Sequence, residues 1–490
     1  MGRRAYGDMQ SRQGMEMFLP LPQAAFVSFE ESTGTAMGYS KRLHPFSKRR
    51  IGSVRLLAYA SESDIFRSIP HYSVDAMEKE KEEELVKKIA EGKLKSHEVA
   101  AVVRDENEAT RIRRMYVERR TGVELSAVGS GAIDFKDACA RNIENSIGSA
   151  QIPVGFVELL IDGDFMSGNS AVFFATTEGK LVAGLNRGAS AINRSGGVKV
   201  RHLSSNMTRS VILDTGSVEG SLKATEFVKS EAGLALLKKA FRDKSSRIEL
   251  LDVEAYTTGR LLYIRYSADT KAAMGMNMVT IASSHATKIL ADELEKMGVR
   301  ADVMSESGNM CADKKPSAIN MIRGRGVSLA AEATIKPDVL KKYFGIEAKS
   351  VERLNYMKNY VGSGLAGSFA HNAHVANVLA ATFIAYGQDV AQIVDAVNAF
   401  DDVKAEEDGS LYISLYMPDL EVGTYGGGTH RETAKELLRA SGVYGEGDND
   451  GKTKVMLAEL IAAAALAGEL NLLCAESAGV LAEAHSKLMR

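Results

Sequence analysis

Near the C-terminus, Leu457–Leu473 is almost entirely Leu, Ile and Ala, yet it carries Glu459 and Glu469. A membrane span needs about 18 or more predominantly apolar residues, and a carboxylate within it is expensive. A helix apolar on every side but holding two acids reads instead as a buried helix of a soluble protein. The rest of the chain must then build a core around it. With 490 residues, 45% of them hydrophobic, it has about three domains' worth of material to do so.

Composition removes several classes of function. Lys and Arg number 61 against 63 Asp and Glu, a net charge of -2. That balance excludes a globally basic nucleic-acid binder and an acidic solvating tail. Cys139, Cys311 and Cys474 are far apart and form no CxxC. A disulfide framework and a cysteine-based zinc or iron–sulfur site are therefore not expected, and a reducing cytoplasm fits. The first 22 residues hold no apolar run of signal-peptide length. Glycine is frequent, 44 residues against eight prolines, so many backbone sites must be tight.

The chain divides by pattern. Residues 1 to about 75 lack periodicity and are locally basic. The spacing predicts a charged amphipathic helix over Asp75–Ala101 and an Arg-rich one over Glu106–Arg120. Strands are predicted at 154–161 and 170–177. A block at 211–304 then reads strand (Ser210–Leu213), helix (Ser221–Arg242), two strands (Arg247–Tyr256, Leu261–Tyr266) and helix (Ala282–Met297), the order of a small α+β sandwich. A long apolar helix is expected over His374–Phe400. A final helical run is expected from Asn449, broken near Gly468 or Gly479.

Four polar residues sit in apolar or glycine-rich surroundings, where a charge needs a reason. Glu178 in ATTEG is either a turn cap or a partly desolvated general acid. Lys314, in the loop SESGNMCADKKPSAIN, belongs either to a solvated cluster or to a group that neutralises an oxyanion or carboxylate. Asp389 lies within the apolar helical stretch, either exposed or buried beside a cation. His485, close to the end of the chain, is either a surface histidine or a proton donor on a mobile tail. Two glycine segments suit a nucleotide. AAMGMNM (272–278) places Gly275 ahead of a helix whose N-terminus would favour phosphate, although it is not a GxGxxG. GTYGGGTH (423–430) is either a tight turn or a close backbone approach to a ligand, and Arg247 could face a 2′-phosphate.

Taken in order, ATTEG, Asn186-Arg187-Gly188, MGMNM, DKKPSAIN, GQD and GGGT resemble 3-hydroxy-3-methylglutaryl-CoA (HMG-CoA) reductase, class I type, in its soluble prokaryotic form, from about Glu83 to Arg490. The resemblance implies an α+β fold. A helical N-terminal segment (76–143) would precede a large α/β domain around a long central helix (144–210 and 305–490), with a ferredoxin-like NADP-binding domain inserted at 211–304. It implies reduction of HMG-CoA by two NADPH to mevalonate and CoA, without metal. Glu178, Lys314, Asp389 and His485 would be catalytic. Arg209, Ser307, Asp313, Lys315, Lys358, Asn377, Asn186 and Arg187 would hold substrate. Ser246, Arg247, Met274, Gly275, Met276, Asn277, Gly426, Gly427 and Gly428 would hold the nucleotide. A homodimer or homotetramer with its active site between subunits is implied, cytoplasmic, with neither nucleic acid nor membrane as partner.

Four positions depart from the family pattern. Ala272 stands where an Asp is usual and Gly184 where Ser is common, while Glu306 and Glu476 replace apolar pocket residues. These keep open a related acyl-CoA reductase with altered substrate or NADH preference, and, from another class, a non-catalytic CoA- or nucleotide-binding paralogue.

Overall fold

The computed structural model describes residues 74–479, except 132, 135–136, 140–141 and 144–148. Residues 1–73 and His485 therefore lie outside the described residues.

The apolar C-terminal run folds as one helix, Lys452–Ser477, and it is buried along most of its length. Both acids within it are fully buried and are answered by backbone donors. Glu459 accepts N–H bonds from Asp164 and Met166 (2.8 Å each) and from Phe165. Glu469 accepts from Ala373 (2.8 Å) and His374 (2.5 Å), capping the start of helix Val375–Ala385. The two carboxylates thus tie remote loops to the central helix, which is why an otherwise apolar segment tolerates them. No break occurs at Gly468. The helix ends past Ser477, where Gly479 turns left-handed at φ 70°.

Nine strands occur among the described residues: β1 (Val154–Asp162), β2 (Ser167–Ala175), β3 (Val198–Asp214), β4 (Glu249–Thr258), β5 (Leu261–Asp269), β6 (Asp302–Ser305), β7 (Gly326–Ile335), β8 (Phe400–Ala405) and β9 (Leu411–Leu420). One path runs β2-β1-β3-β7-β9-β8. β3 is the joint of the molecule. Its first half pairs antiparallel with β7 through Asn206–Gly326, and its second half, from Met207, pairs antiparallel with β5 and β6. The second half lies in the order β4-β5-β3-β6. Each half has its own core. One gathers around the central helix; the other contains Val211, Phe241, Tyr266, Val279 and Leu290.

Several expected elements come out differently. The strand expected at Ser210–Leu213 is the end of the 17-residue β3, whose first half is polar enough to hide its period. The helix expected over Ser221–Arg242 is two, Val218–Lys229 and Glu231–Lys244, parted by Ser230, whose hydroxyl caps the second. The helix expected from Ala282 begins at Met276. That over Asp75–Ala101 divides into Val74–Ala90 and shorter turns. The long helix expected over His374–Phe400 is cut after Ala385 by Gly387 (φ 65°), and Asp389 then caps a separate short turn. Apolar composition alone hid that break.

Candidate active site

The DKKP loop turns through three left-handed residues that are not glycine, Asn309, Ala312 and Lys314 (φ 61°, 49° and 58°). Such a backbone costs of order 1 kcal/mol per residue, so neighbouring groups must hold it. The Lys314 N–H donates to Asp395 Oδ2 at 3.0 Å. Its side chain leaves the loop and places Nζ 2.8 Å from Asp389 Oδ2. The other oxygen of Asp389 accepts from the Ala391 N–H. Asp389 therefore has the cationic partner that its position demanded, but at a helix cap and half-exposed rather than inside a helix.

Behind this pair lies Arg325, fully buried at the threshold of β7. One guanidinium nitrogen donates to Gln392 Oε1 (2.8 Å), Asp395 Oδ2 (2.8 Å) and Glu421 Oε1 (2.9 Å). Another donates to Asp313 Oδ1 (2.7 Å) and touches the Met276 sulfur (3.1 Å). Asp313 also accepts from Gln392 Nε2 (3.0 Å), and its second oxygen lies 3.8 Å from Arg209. Lys315 Nζ reaches the Asp313 carbonyl (3.0 Å), and Ser307 is exposed on the same loop. Burial raises the Asp395 carboxyl against the pull of Arg325, pushes Asp419 up to about 8 and holds Glu421 well above the carboxylate range. The sequence reading missed Arg325. Its one signal is a charge between two glycines at the entrance to an apolar strand.

The glycine segments converge on this cluster. A β-carbon on Gly423 would lie 2.3 Å from Met274 N, and one on Gly428 would lie 2.4 Å from the Gly387 carbonyl. The Gln388 amide clamps Gly423 from both sides, accepting its N–H (2.8 Å) and donating to its carbonyl (2.9 Å). The Thr424 N–H donates to Ala272 O (2.8 Å). MGMN, GQD and GGGT thus meet backbone to backbone. Helix Met276–Lys296 starts after Gly275 (φ 87°) with no side chain capping its first turn. Its free N–H groups, with open space over Gly426 and Gly427, fit an anionic group such as a nucleotide phosphate. β4 pairs Glu249 with Asp269, so exposed Ser246 and Arg247 lie at the same end of the sheet as the MGMN loop.

Glu178 belongs to a second group. Of its two readings the desolvated one does not hold, for Glu178 is exposed, and its Oε2 accepts from Asn377 Nδ2 (2.8 Å) in a cleft of about 410 Å³ between the end of β2 and helix Val375–Ala385. Lys358, on a π-helical turn, pairs with Glu476 (2.9 Å). Burial lowers the His374 imidazole, against the opposing charges of Glu178 and Glu476. Arg187 is turned into the chain, donating to Asn471 Oδ1 (2.7 Å) and lying over Phe344, while Asn186 is half-buried on the same helix.

Asn377 sits in the first turn of helix Val375–Ala385 and Asp389 beyond its last. Eight helical residues alone separate these ends by about 12 Å. Among the described residues, no hydrogen bond or ion pair joins the Lys314 group to the Glu178 group.

The order of these motifs has a match. The family model described as hydroxymethylglutaryl-coenzyme A reductase covers residues 109–490. The chain belongs to the HMG-CoA reductase family. It is 44% identical over 411 residues to the 3-hydroxy-3-methylglutaryl-coenzyme A reductase of Aeropyrum pernix, covering 83% of this chain and 96% of that protein. With that of Pyrococcus abyssi it shares 41% over 410 residues, 83% and 99% of the two chains. The likeness supports the class I, prokaryotic form of the family. The fold is also similar to the class II HMG-CoA reductase of Streptococcus pneumoniae solved with NADPH (TM-score 0.55, 19% identity, 72% of this chain and 92% of that one). Within an HMG-CoA reductase, the Lys314–Asp389 pair among converging glycine loops is a candidate reaction centre.

Proposed function

We propose that this chain is a working HMG-CoA reductase, converting HMG-CoA to mevalonate and CoA in two successive reductions with two NADPH. The observation that carries the reading is the ammonium–carboxylate pair of Lys314 and Asp389, held at the junction of three glycine motifs in a member of this family. Bound NADPH would supply the hydride for both reductions. Met274–Asn277, the open face of Gly426–Gly428, and Ser246 with Arg247 would hold it; the free N–H groups of Met276–Lys296 support this. The block 211–304, with its own core and its β-order, supports a ferredoxin-like NADP domain inserted between 144–210 and 305–490, behind a helical segment at 76–143.

The chain's own residues would divide the work as follows. Lys314 stabilises negative charge growing on the thioester oxygen, while Asp389 fixes the amine's direction. After the hemithioacetal has collapsed, Glu178 donates the proton that the aldehyde oxygen takes up as mevaldehyde is reduced. His485 protonates the departing CoA thiolate, since a thiol of pKa about 8.5 leaves poorly as a bare anion. Arg209, Ser307, Asp313, Lys315, Lys358 and Asn377 hold the acyl part, and Asn186 and Arg187 complete the substrate-binding set.

The helix between Asn377 and Asp389 keeps Glu178 and Lys314 of one chain apart, which supports a site completed by a second copy in a homodimer or homotetramer. Three free cysteines, and a central helix wrapped by its own fold, support a cytoplasmic enzyme outside the membrane. The test is complementation. Lys314→Ala and Glu178→Gln should each abolish HMG-CoA-dependent NADPH oxidation, and co-refolded as a 1:1 mixture they should recover roughly a quarter of parental activity through hybrid dimers. No recovery would place both residues in one chain's site, and no oxidation by the parent would end the reading. A shifted acyl-CoA or cofactor preference is the second reading, favoured by the Lys358–Glu476 pair and by Ala272; kcat/KM with NADH, NADPH and acyl-CoA analogues decides it.

A further inference from the structure

The buried network behind Lys314 holds more acid than base. Asp395, Asp419 and Glu421 are fully buried and Asp313 is mostly so; the cations facing them are Arg325, fully buried, and Arg209 at the rim, 3.8 Å from Asp313. With every carboxyl ionised, this largely buried cluster would carry a net charge of about -2, which a protein interior avoids by protonation. The geometry says where a proton sits. Glu421 and Asp395 are brought together on one nitrogen of Arg325 (2.9 and 2.8 Å), and each keeps an oxygen, Glu421 Oε2 and Asp395 Oδ1, that no donor reaches. Two acceptor-only oxygens cannot satisfy each other; one shared proton satisfies both. Their other oxygens, Glu421 Oε1 and Asp395 Oδ2, share one nitrogen of Arg325, and Asp395 Oδ2 also accepts the Lys314 N–H.

We infer that Glu421 is a positioning residue for Lys314, acting as a buried carboxylic acid whose proton, shared with Asp395, locks the carboxylate that anchors the left-handed Lys314 backbone. This rests on the reading of Lys314 as the group that meets the substrate oxygen. The groups facing Glu421 are Arg325, Asp395 and Asp419; Asp313 and Cys311 face the same guanidinium. A rise in pH that removes the proton sets two carboxylates against each other beside one cation. Asp395 then shifts, the loop loosens, and the amine loses its aim. Burial, which holds the Glu421 proton well above the ordinary range, puts this loss on the alkaline side.

The test compares full-length parent, Glu421→Gln and Glu421→Leu. In Gln, an amide N–H replaces the proton and does not titrate. It should rescue turnover at neutral pH to within about threefold and flatten the alkaline fall of kcat seen in the parent, with KM little changed. Leu, which can hold neither Asp395 nor Arg325, should lose about a hundredfold in kcat, as misplacing a catalytic group does. Hydrogen exchange of the peptide containing Lys314, corrected for intrinsic rate, reads the loop without any substrate. Parental protection should fall with rising pH and that of the Gln variant should not. Coincident exchange profiles for parent and Gln would overturn the inference even if the Leu variant fails to fold. A parent with the pH-dependent exchange but no turnover would overturn the functional reading and leave the positioning intact.

Discussion

Lys358 shows how a residue can be legible in type and not in state. Its motif, MKNYVGS, marks it as a candidate for holding a substrate carboxylate. In the folded chain it already has a carboxylate, Glu476, at 2.9 Å, on the last turn of the central helix. Both are partly exposed, so the pair contributes modestly, and the substrate must compete with it. Replacing Glu476 by Leu should lower KM for HMG-CoA by roughly fivefold with kcat little altered, the size expected for releasing a partly exposed ion pair. An unchanged or raised KM in steady-state kinetics would mean that Lys358 does not hold the acyl group. Arg325 is the converse case. The sequence offers it as one charge among 61 Lys and Arg, and only its burial among four carboxyls shows what it does.

Helices in this chain approach more closely than ordinary side chains allow. Helix Leu181–Ser195 crosses the central helix where a β-carbon on Gly188 would come within 2.0 Å of the Ala467 carbonyl oxygen. A backbone atom cannot turn aside as a flexible side chain can, so Gly188→Ala must push the two helices apart. The expected cost is about 3 kcal/mol, at the upper end for overpacking, and a lowered denaturation midpoint would show it; a midpoint equal to the parent's would mean that the two helices part there without cost. The same closeness explains why glycine is abundant. The Asn-Arg-Gly segment reads in sequence as a substrate motif, while its glycine serves helix packing and its arginine holds Asn471 of the central helix.

Taken as a whole, the chain buries acids that hold their protons near neutrality. Asp419 and Glu469 are each pushed up to about 8 by burial, and Asp401, beside Glu469, to about 6. The folded state therefore binds these protons more tightly than the unfolded chain does. Their contribution is complete below the ordinary carboxyl range, near pH 4, and is lost as pH rises towards 8, about 1.4 kcal/mol per pH unit for each group that differs in that window. Unfolding free energy should be lower at pH 8 than at pH 5, and Glu469→Gln should narrow the gap; a parent equally stable at both pH values would contradict this. Buried Lys454, lowered to about 8, acts in the next window, adding stability as pH rises above 8.

By itself the sequence determined what depends on local order and residue type: the buried nature of Leu457–Leu473, all or part of β1 to β5, and the motifs that name the family. These are legible because periodicity, capping and motif chemistry act over a few residues. By contrast, β6 to β9 lie in stretches where the pattern predicts no strand and, beyond Met321, reads as helical. Tertiary structure alone decided which of those motifs meet. It cut the apolar stretch after Ala385, because Gly387 must pass against the Gly428 backbone, and so set Asp389 beside Lys314. It put Glu178 at the opposite end of the same helix from that pair. It also collected Asp313, Arg325, Asp395, Asp419 and Glu421, spread over more than a hundred residues, into one sealed pocket. Whether a charge is solvated, paired or forced to keep its proton depends on what surrounds it in space, and no run of neighbours along the chain carries that information.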